Sequence, residues 1–188
     1  MNTEQPKYVT VYGASSDAVD DIYKADARQV GRLLAQRGIV TVNGGGACGL
    51  MGATTDGAMD AGGRTLGIIP RFMTERGWGY DRLTEVRVTE GMRDRKKMLA
   101  DIAVGVIALP GGTGTFDELF EMITRRQLGL YKGQVVILNT NGYYDIMLAM
   151  LQNAYRQGFM RKDTDMKLFK VATTPEMAVE MVLADAAE

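Results

Sequence analysis

Apolar residues along the chain fall into short unbroken runs, separated by longer stretches in which they recur every three or four positions. The runs are YVTVYG (8–13), IVTVNG (39–44), RTLGIIP (64–70), VGVIALPG (104–111), GQVVILNT (133–140) and, more weakly, KLFKVA (167–172). They are short, rich in β-branched residues and lack polar alternation, which predicts strands covered on both faces. The stretches at 20–38, 49–62, 91–103, 114–131, 143–159 and 174–187 carry helical periodicity. The last opens with Thr174, Pro175 and Glu176, a helix-start signal. Strands alternating with helices predict βαβ units: a three-layer α/β fold, with an open, mainly parallel sheet and helices on both faces. No repeat or low-complexity linker breaks the pattern, and 188 residues suit one domain spanning 1–188. The connection 71–90 is longer than a usual strand-to-helix link, which makes it a candidate lid or subunit contact with room for a short strand.

In an open parallel sheet, ligands sit beyond the carboxyl ends of the strands, so the loops after strands are where chemistry is sought. The loop VYGASSD (11–17) offers Ser15 and Ser16 to a ligand's polar edge; alternatively one of them, or Asp17, caps the following helix. The loop NGGGACGLMG (43–52) matches G-x-G-x-x-G at Gly44, Gly46 and Gly49. However, it follows the second strand, and no acidic residue occurs where LGIIP would supply one, which argues against NAD or FAD. What survives is close backbone approach to a ligand at Gly45 and Gly46, or equally close packing of helix on sheet.

The third loop is LPGGTGTFDEL (109–119). Pro110 ends the apolar run, and Gly111, Gly112 and Gly114 permit a turn whose amides converge on an anion, to which Thr113 and Thr115 add hydroxyls. The helix dipole adds the equivalent of about half a positive charge. No Lys-Ser/Thr pair ends the loop, so it is not a Walker P-loop. The segment TFDE (115–118) also fits a capping box, with Glu118 folded back on a backbone amide, and local sequence alone favours that simpler role. A phosphate held there would satisfy the same amides and release Glu118. Helical spacing puts Glu118, Glu121 and Thr124 or Arg125 on one face and turns Leu119, Met122 and Ile123 toward the sheet. In MRDRKKM (92–98), Arg95 can turn inward to pair with Glu118 or a substrate, leaving Lys96 or Lys97 outside.

Composition narrows the chemistry. The chain has no histidine, which removes the usual general base, the Ser-His-Asp triad and the commonest metal ligand together. A single cysteine, Cys48, excludes an intrachain disulfide framework and a Cys-rich metal site and fits a reducing compartment, with cytoplasm as the expectation. A net charge of -1 argues against nucleic acid or an anionic membrane as partner. No apolar run nears the ~20 residues that span a bilayer, and MNTEQPKYVT lacks the plan of a signal peptide.

PGGTGTFDE resembles the P-G-G-x-G-T-x-x-E signature of the lonely-guy family of cytokinin-activating phosphoribohydrolases. GGGACGLMG, MRDRK, QLGLY and NTNGYYD fit the same family in the same order, from about residue 8 to residue 160. The resemblance implies a Rossmann-like fold and hydrolysis of the N-glycosidic bond of adenine-type nucleoside 5′-monophosphates, without cofactor or metal. It implies that Arg95 and Glu118 are catalytic and that Gly111, Gly112, Thr113, Gly114 and Thr115 hold the 5′-phosphate. Lys96, Glu121 and Thr124 would line the substrate, with Ser15, Gly45 and Gly46 as further contacts and Glu75 a more distant candidate. The family usually forms dimers, so the resemblance implies a homodimer or a higher homo-oligomer. An older label, lysine decarboxylase, finds no pyridoxal phosphate logic here. Two positions depart from many relatives: Arg93-Asp94 replaces a His-Glu or His-Gln pair, and Arg125-Arg126 replaces Trp-Ala. The alternatives are a non-hydrolysing carrier of a nucleotide or molybdenum cofactor on the same fold, and an oligomeric nucleotide sensor.

Overall fold

Seven strands form one all-parallel sheet in the computed structural model, which describes residues 6–160 and 168–184. Lys167 of the last apolar run and residues 185–187 of the last helical stretch lie outside the described residues. The strands are β1 (Tyr8–Tyr12), β2 (Val40–Asn43), β3 (Thr65–Pro70), β4 (Glu85–Thr89), β5 (Gly105–Ala108), β6 (Gln134–Leu138) and β7 (Lys170–Ala172). Their order is β4-β3-β2-β1-β5-β6-β7, so the chain builds outward from β1 in one direction and then from β5 in the other. The switch lies between β1 and β5, paired from Val9↔Gly105 to Tyr12↔Ala108. The carboxyl ends of these two strands open the crevice where such sheets bind ligands.

Alternation along the strands feeds two apolar layers. Val9, Val11, Ile107, Leu109, Val136 and Leu138 pack against α1 (Asp21–Gln36), α2 (Gly49–Asp60) and α7 (Pro175–Leu183). Tyr12, Val106, Ala108, Val135 and Ile137 face α4 (Met92–Asp101), α5 (Thr113–Gln127) and α6 (Asp145–Arg156). The expected inward residues of α5, Leu119, Met122 and Ile123, are all buried. The hydroxyl of Thr10, on the same strand face as Tyr12, donates to Leu99 O of α4 at 2.7 Å, so this buried polar group under the helix is satisfied. No helix among the described residues is long and apolar enough to cross a membrane.

The connection 71–90 holds more structure than its sequence suggested. It starts with the short α3 (Arg71–Thr74) and ends as β4, the edge strand paired with β3 from Leu66↔Glu85 to Pro70↔Thr89. Between them the chain folds over the second glycine loop: Gly79 bridges Gly46, and the Tyr80 amide donates to Gly45 O at 2.9 Å. Asp56 of α2 anchors this crossing, accepting from the Tyr80 hydroxyl at 2.7 Å and from Arg28 and Arg82.

Candidate active site

The loops after β1, β2 and β5 meet at the carboxyl edge of the sheet. The Ala14 amide donates to Pro110 O at 3.1 Å, and the Leu50 amide donates to Ala14 O at 2.8 Å. Asp17 does not cap α1; that role belongs to Asp20, whose carboxylate accepts from the Ile22 amide at 3.2 Å. Asp17 instead accepts from the Gly49 amide at 2.7 Å and ties the first loop to the second. Ser15 and Ser16 stand exposed on this edge, and Ser16 accepts from the Ala18 amide. Gly111 is required for the convergence, because a Cβ there would lie 2.1 Å from Thr115 Oγ1 and 3.0 Å from the Ala14 nitrogen.

The start of α5 overturns the capping box. The N-cap is Gly112, with no side-chain cap, and the first intrahelical bond runs from the Phe116 amide to Gly112 O at 3.0 Å. Thr115 is therefore the third residue of the helix and is buried, so it cannot serve as the cap, and Glu118 accepts from Arg95 instead of a backbone amide. The anion nest also takes another form. Gly111, Gly112 and Gly114 do not occupy the left-handed region, and Gly112 is extended at φ -87° and ψ -156°. The available donors are the opening amides of the helix, Thr113, Gly114 and Thr115, which have no intrahelical acceptor. Gly112, Thr113 and Gly114 are exposed, so an anion has access to this 15-residue helix at its positive end.

Arg95 turns inward from α4. Its Nε donates to Ile68 O at 3.1 Å and its Nη1 to Glu118 Oε1 at 3.2 Å, with the side chains only 10% and 12% exposed. Gly44 makes room for the guanidinium: a Cβ there would lie 1.9 Å from Arg95 Nη2. The second glycine loop thus forms one wall of the Arg95–Glu118 pair. Burial pushes the Glu118 carboxyl up to about 7, and the attraction of Arg95 offsets that only partly. A buried carboxyl near neutrality beside a fixed cation and an open helix start has the hallmarks of a reactive site.

The remaining candidates spread along the flank of α5. Lys96 is half-buried and pairs with Asp117 at 2.9 Å and Glu121 at 3.2 Å, while Glu121 also holds Arg125 at 2.9 Å. Lys97 stays outside. Thr124 is exposed and lies about 9 Å beyond Glu118 along the helix axis, well away from the opening amides. Glu75 is exposed at the end of α3. The departures at Arg125 and Arg126 have structural partners: Arg125 bridges Glu121 to Asp101 of α4, and Arg126 donates to carbonyls at residues 132 and 133. A cleft of about 950 Å³ lies at the opposite, amino-terminal edge, lined by Lys7, Gly38, Val104 and Gly133. Its size does not make it the site, since the switch point, the helix start and the neutral-range carboxyl are all at the other edge.

Sequence reasoning gave Tyr12 no role and Asp17 only that of a helix cap, whereas it ties the first loop to the second. Tyr12 ends β1 buried; desolvation and the neighbouring Glu118 keep its phenol far from ionisation. Its apolar neighbours in the run made it look like core, which it also is.

Comparison with known proteins agrees with the signature residues. The family described as possible lysine decarboxylase matches residues 51–182. A cytokinin riboside 5′-monophosphate phosphoribohydrolase from rice, LOG, is 36% identical over 92% of this chain and 72% of its own length. The chain belongs to the lonely-guy family. A relative of the same name from Rhodococcoides fascians is 37% identical over 85% of this lonely-guy chain and 81% of its own. The Arabidopsis thaliana enzyme LOG3 is 33% identical over 96% and 84%. Among solved structures, the molybdenum cofactor binding protein from Rippkaea orientalis superposes with a TM-score of 0.74 at 23% identity, covering 96% of this chain and 97% of that one. The Chlamydomonas reinhardtii molybdenum cofactor carrier gives 0.73 at 24%, covering 96% and 100%. At that identity the shared property is the Rossmann-like fold.

Proposed function

We propose that this lonely-guy protein hydrolyses the N-glycosidic bond of AMP-type nucleoside 5′-monophosphates, N6-modified (cytokinin-type) AMP included, releasing the free base and ribose 5-phosphate. The observation that carries this reading is the buried Arg95–Glu118 pair set beside the open start of α5. In the proposed complex the 5′-phosphate accepts from the amides of Thr113, Gly114 and Thr115, with Gly111 and Gly112 shaping the approach. Glu118 lies about 4.5 Å further along the axis from Thr115, a separation that a ribose bridges. Anchoring the phosphate at one end then orients the anomeric carbon against the carboxylate at the other.

As the C1′–N9 bond breaks, its electron pair leaves with the base and C1′ gains oxocarbenium character. The Glu118 carboxylate offsets that charge and orients water. The water oxygen bonds to C1′, one of its protons is lost, and the departing base takes up one proton, so one water is consumed per bond cleaved. Arg95 stays protonated throughout and holds both Glu118 and the ribose phosphate. Ser15 lines the side across from α5, whereas Gly45, buried with its carbonyl held by the Tyr80 amide, and Gly46, bridged to Gly79, lie under the 75–84 crossing and support that side instead of touching substrate. Lys96, Glu121 and Thr124 line its flank, where substrate contact would trade against the existing Lys96–Glu121 pair.

Base release followed by liquid chromatography tests the reading on AMP, N6-prenyl-AMP and adenosine. The monophosphates should be cleaved, with adenosine at least about 100-fold lower in kcat/KM because it forfeits the phosphate anchor. Equal turnover of adenosine and AMP, or AMP binding with no base released, would sink it. The ratio between the two monophosphates assigns the preferred base.

A further inference from the structure

The turn between β6 and α6 (Thr140–Gly142) has no part in the scheme above, yet it is built with care. Asn141, at φ 52°, is the one non-glycine residue with a positive φ among the described residues, and Gly142 follows at 70°. Asn139 braces the turn, donating to Asp145 Oδ1 and accepting from the Tyr144 amide, both at 2.7 Å. Two consecutive tyrosines thereby reach back to the loop after β5. Tyr144, fully buried, donates its hydroxyl to Leu109 O at 2.6 Å. Tyr143, 40% exposed, donates to Gly111 O at 2.6 Å. Their rings meet edge to face at 5.0 Å, and further edge contacts reach Tyr23 of α1 and Phe116 of α5.

The consequence follows from peptide geometry. In a planar trans peptide the carbonyl and the next amide point in opposite directions. The Ala14 amide fixes the Pro110 carbonyl and so aims the amide of Gly111. The Tyr143 hydroxyl fixes the Gly111 carbonyl and so aims the amide of Gly112. Glycines on both sides of that peptide bring no side chain to resist its rotation, which leaves the hydrogen bond as its restraint.

We propose that Tyr143 is a positioning residue for the phosphate loop: its hydroxyl holds the 111–112 peptide so that the Gly112 amide joins those of Thr113, Gly114 and Thr115 in receiving a phosphate. This rests on the phosphoribohydrolase reading of the same site. Tyr143 touches neither the ribose nor the base in this arrangement, and it acts through the loop.

Tyr143→Phe tests it, since the ring contacts stay and only the hydroxyl goes, with Tyr144→Phe as comparator. Melting temperature, calorimetric affinity for ribose 5-phosphate and steady-state kinetics on AMP are measured for the full chain. Tyr143→Phe should melt close to wild type, bind ribose 5-phosphate about three- to tenfold more weakly and raise KM for AMP by a similar factor. Its kcat should stay near wild type, because a remote phosphate contact is equally strong in ground and transition states. Tyr144→Phe should lower the melting temperature and change ribose 5-phosphate affinity by less than about twofold. Wild-type affinity and KM in Tyr143→Phe, a fall in kcat at constant KM, or equal weakening in both variants would overturn the proposal. Failure of wild type to bind ribose 5-phosphate would overturn it too. Binding of ribose 5-phosphate without base release from any monophosphate would remove the hydrolase reading alone, and the affinity comparison would still decide Tyr143.

Discussion

Glu118 and Arg95 bring two opposing requirements into one contact. Burial favours the neutral carboxyl, the guanidinium favours the charged one, and burial wins by enough to bring Glu118 up to about 7. If the ionised form does the work, kcat/KM, which reports the free enzyme, should rise with pH through about 7, with adenosine run beside AMP to separate this limb from titration of the AMP phosphate. A kcat/KM flat from about pH 5.5 to 8.5 for both would contradict it. The linkage runs the same way for stability. A folded value above the ordinary 4.5 means that the contribution of Glu118 is complete below about pH 4.5 and is lost as pH rises through about 7. Glu118→Gln should therefore gain melting temperature relative to wild type between pH 5 and pH 8. A difference independent of pH would show that Glu118 does not titrate in this range. Arg95→Met removes the cation facing Glu118; it should push the acid limb of any remaining activity to higher pH and cut kcat/KM by at least about 100-fold. An unchanged limb would place the working contact of Glu118 elsewhere. The inward turn of Arg95 was legible because MRDRKKM offered several cations of which one could point to the sheet. The partners of Tyr143 and Asp17 were not, because each bond joins residues 32 positions apart and leaves no local pattern.

Among elements, the fully buried strands and long amphipathic helices were legible from periodicity, since a two-sided strand and a one-sided helix leave different records of burial. β4 was less so. EVRVT alternates polar and apolar at a sheet edge, where Val86 and Val88 remain exposed, and its five residues sit inside a long polar connection. The start of α5 was misread for a related reason: a capping box and the first turn of a glycine-started helix share the same residue types, and only the backbone tells them apart. The glycines of α1 and α2 proved to have a packing role. Gly57 lies where a Cβ would be 1.9 Å from Arg28 O, and Gly31 where one would be 2.0 Å from Thr54 O. Gly57→Ala should force the helices apart and cost about 1–3 kcal/mol in urea unfolding, because the atom in the way is backbone and cannot swing aside. A stability at or above wild type would show that the pair slides freely. α2 carries the Asp56 anchor of the 75–84 crossing, so the same variant should also loosen the cover over Gly45 and Gly46 and raise protease sensitivity there.

At the scale of the whole molecule, the order β4-β3-β2-β1-β5-β6-β7 brings three loops that are distant in sequence to one edge. The first supplies Ser15 and the Asp17 tie, the second the Gly44 wall, and the third the helix start and Glu118. α4 reaches the same place by crossing from the edge strand β4 to the central β5, which delivers Arg95 from the other side of the chain's path. The parallel fold could be inferred from the alternation of elements, and its ligand edge from the general behaviour of such sheets. The pairing of Arg95 with Glu118 was named in the sequence as one option beside a substrate contact, while the depth of burial that brings the carboxyl near neutrality depended on tertiary placement. The most direct test is the rate of adenine release from AMP by wild type and by Glu118→Gln, with circular dichroism and melting temperature taken on the same samples. With the fold retained, the variant should lose at least about 100-fold in kcat while still binding ribose 5-phosphate. A folded Glu118→Gln protein that releases adenine at the wild-type rate would contradict a site in which the Glu118 charge stabilises the transition state.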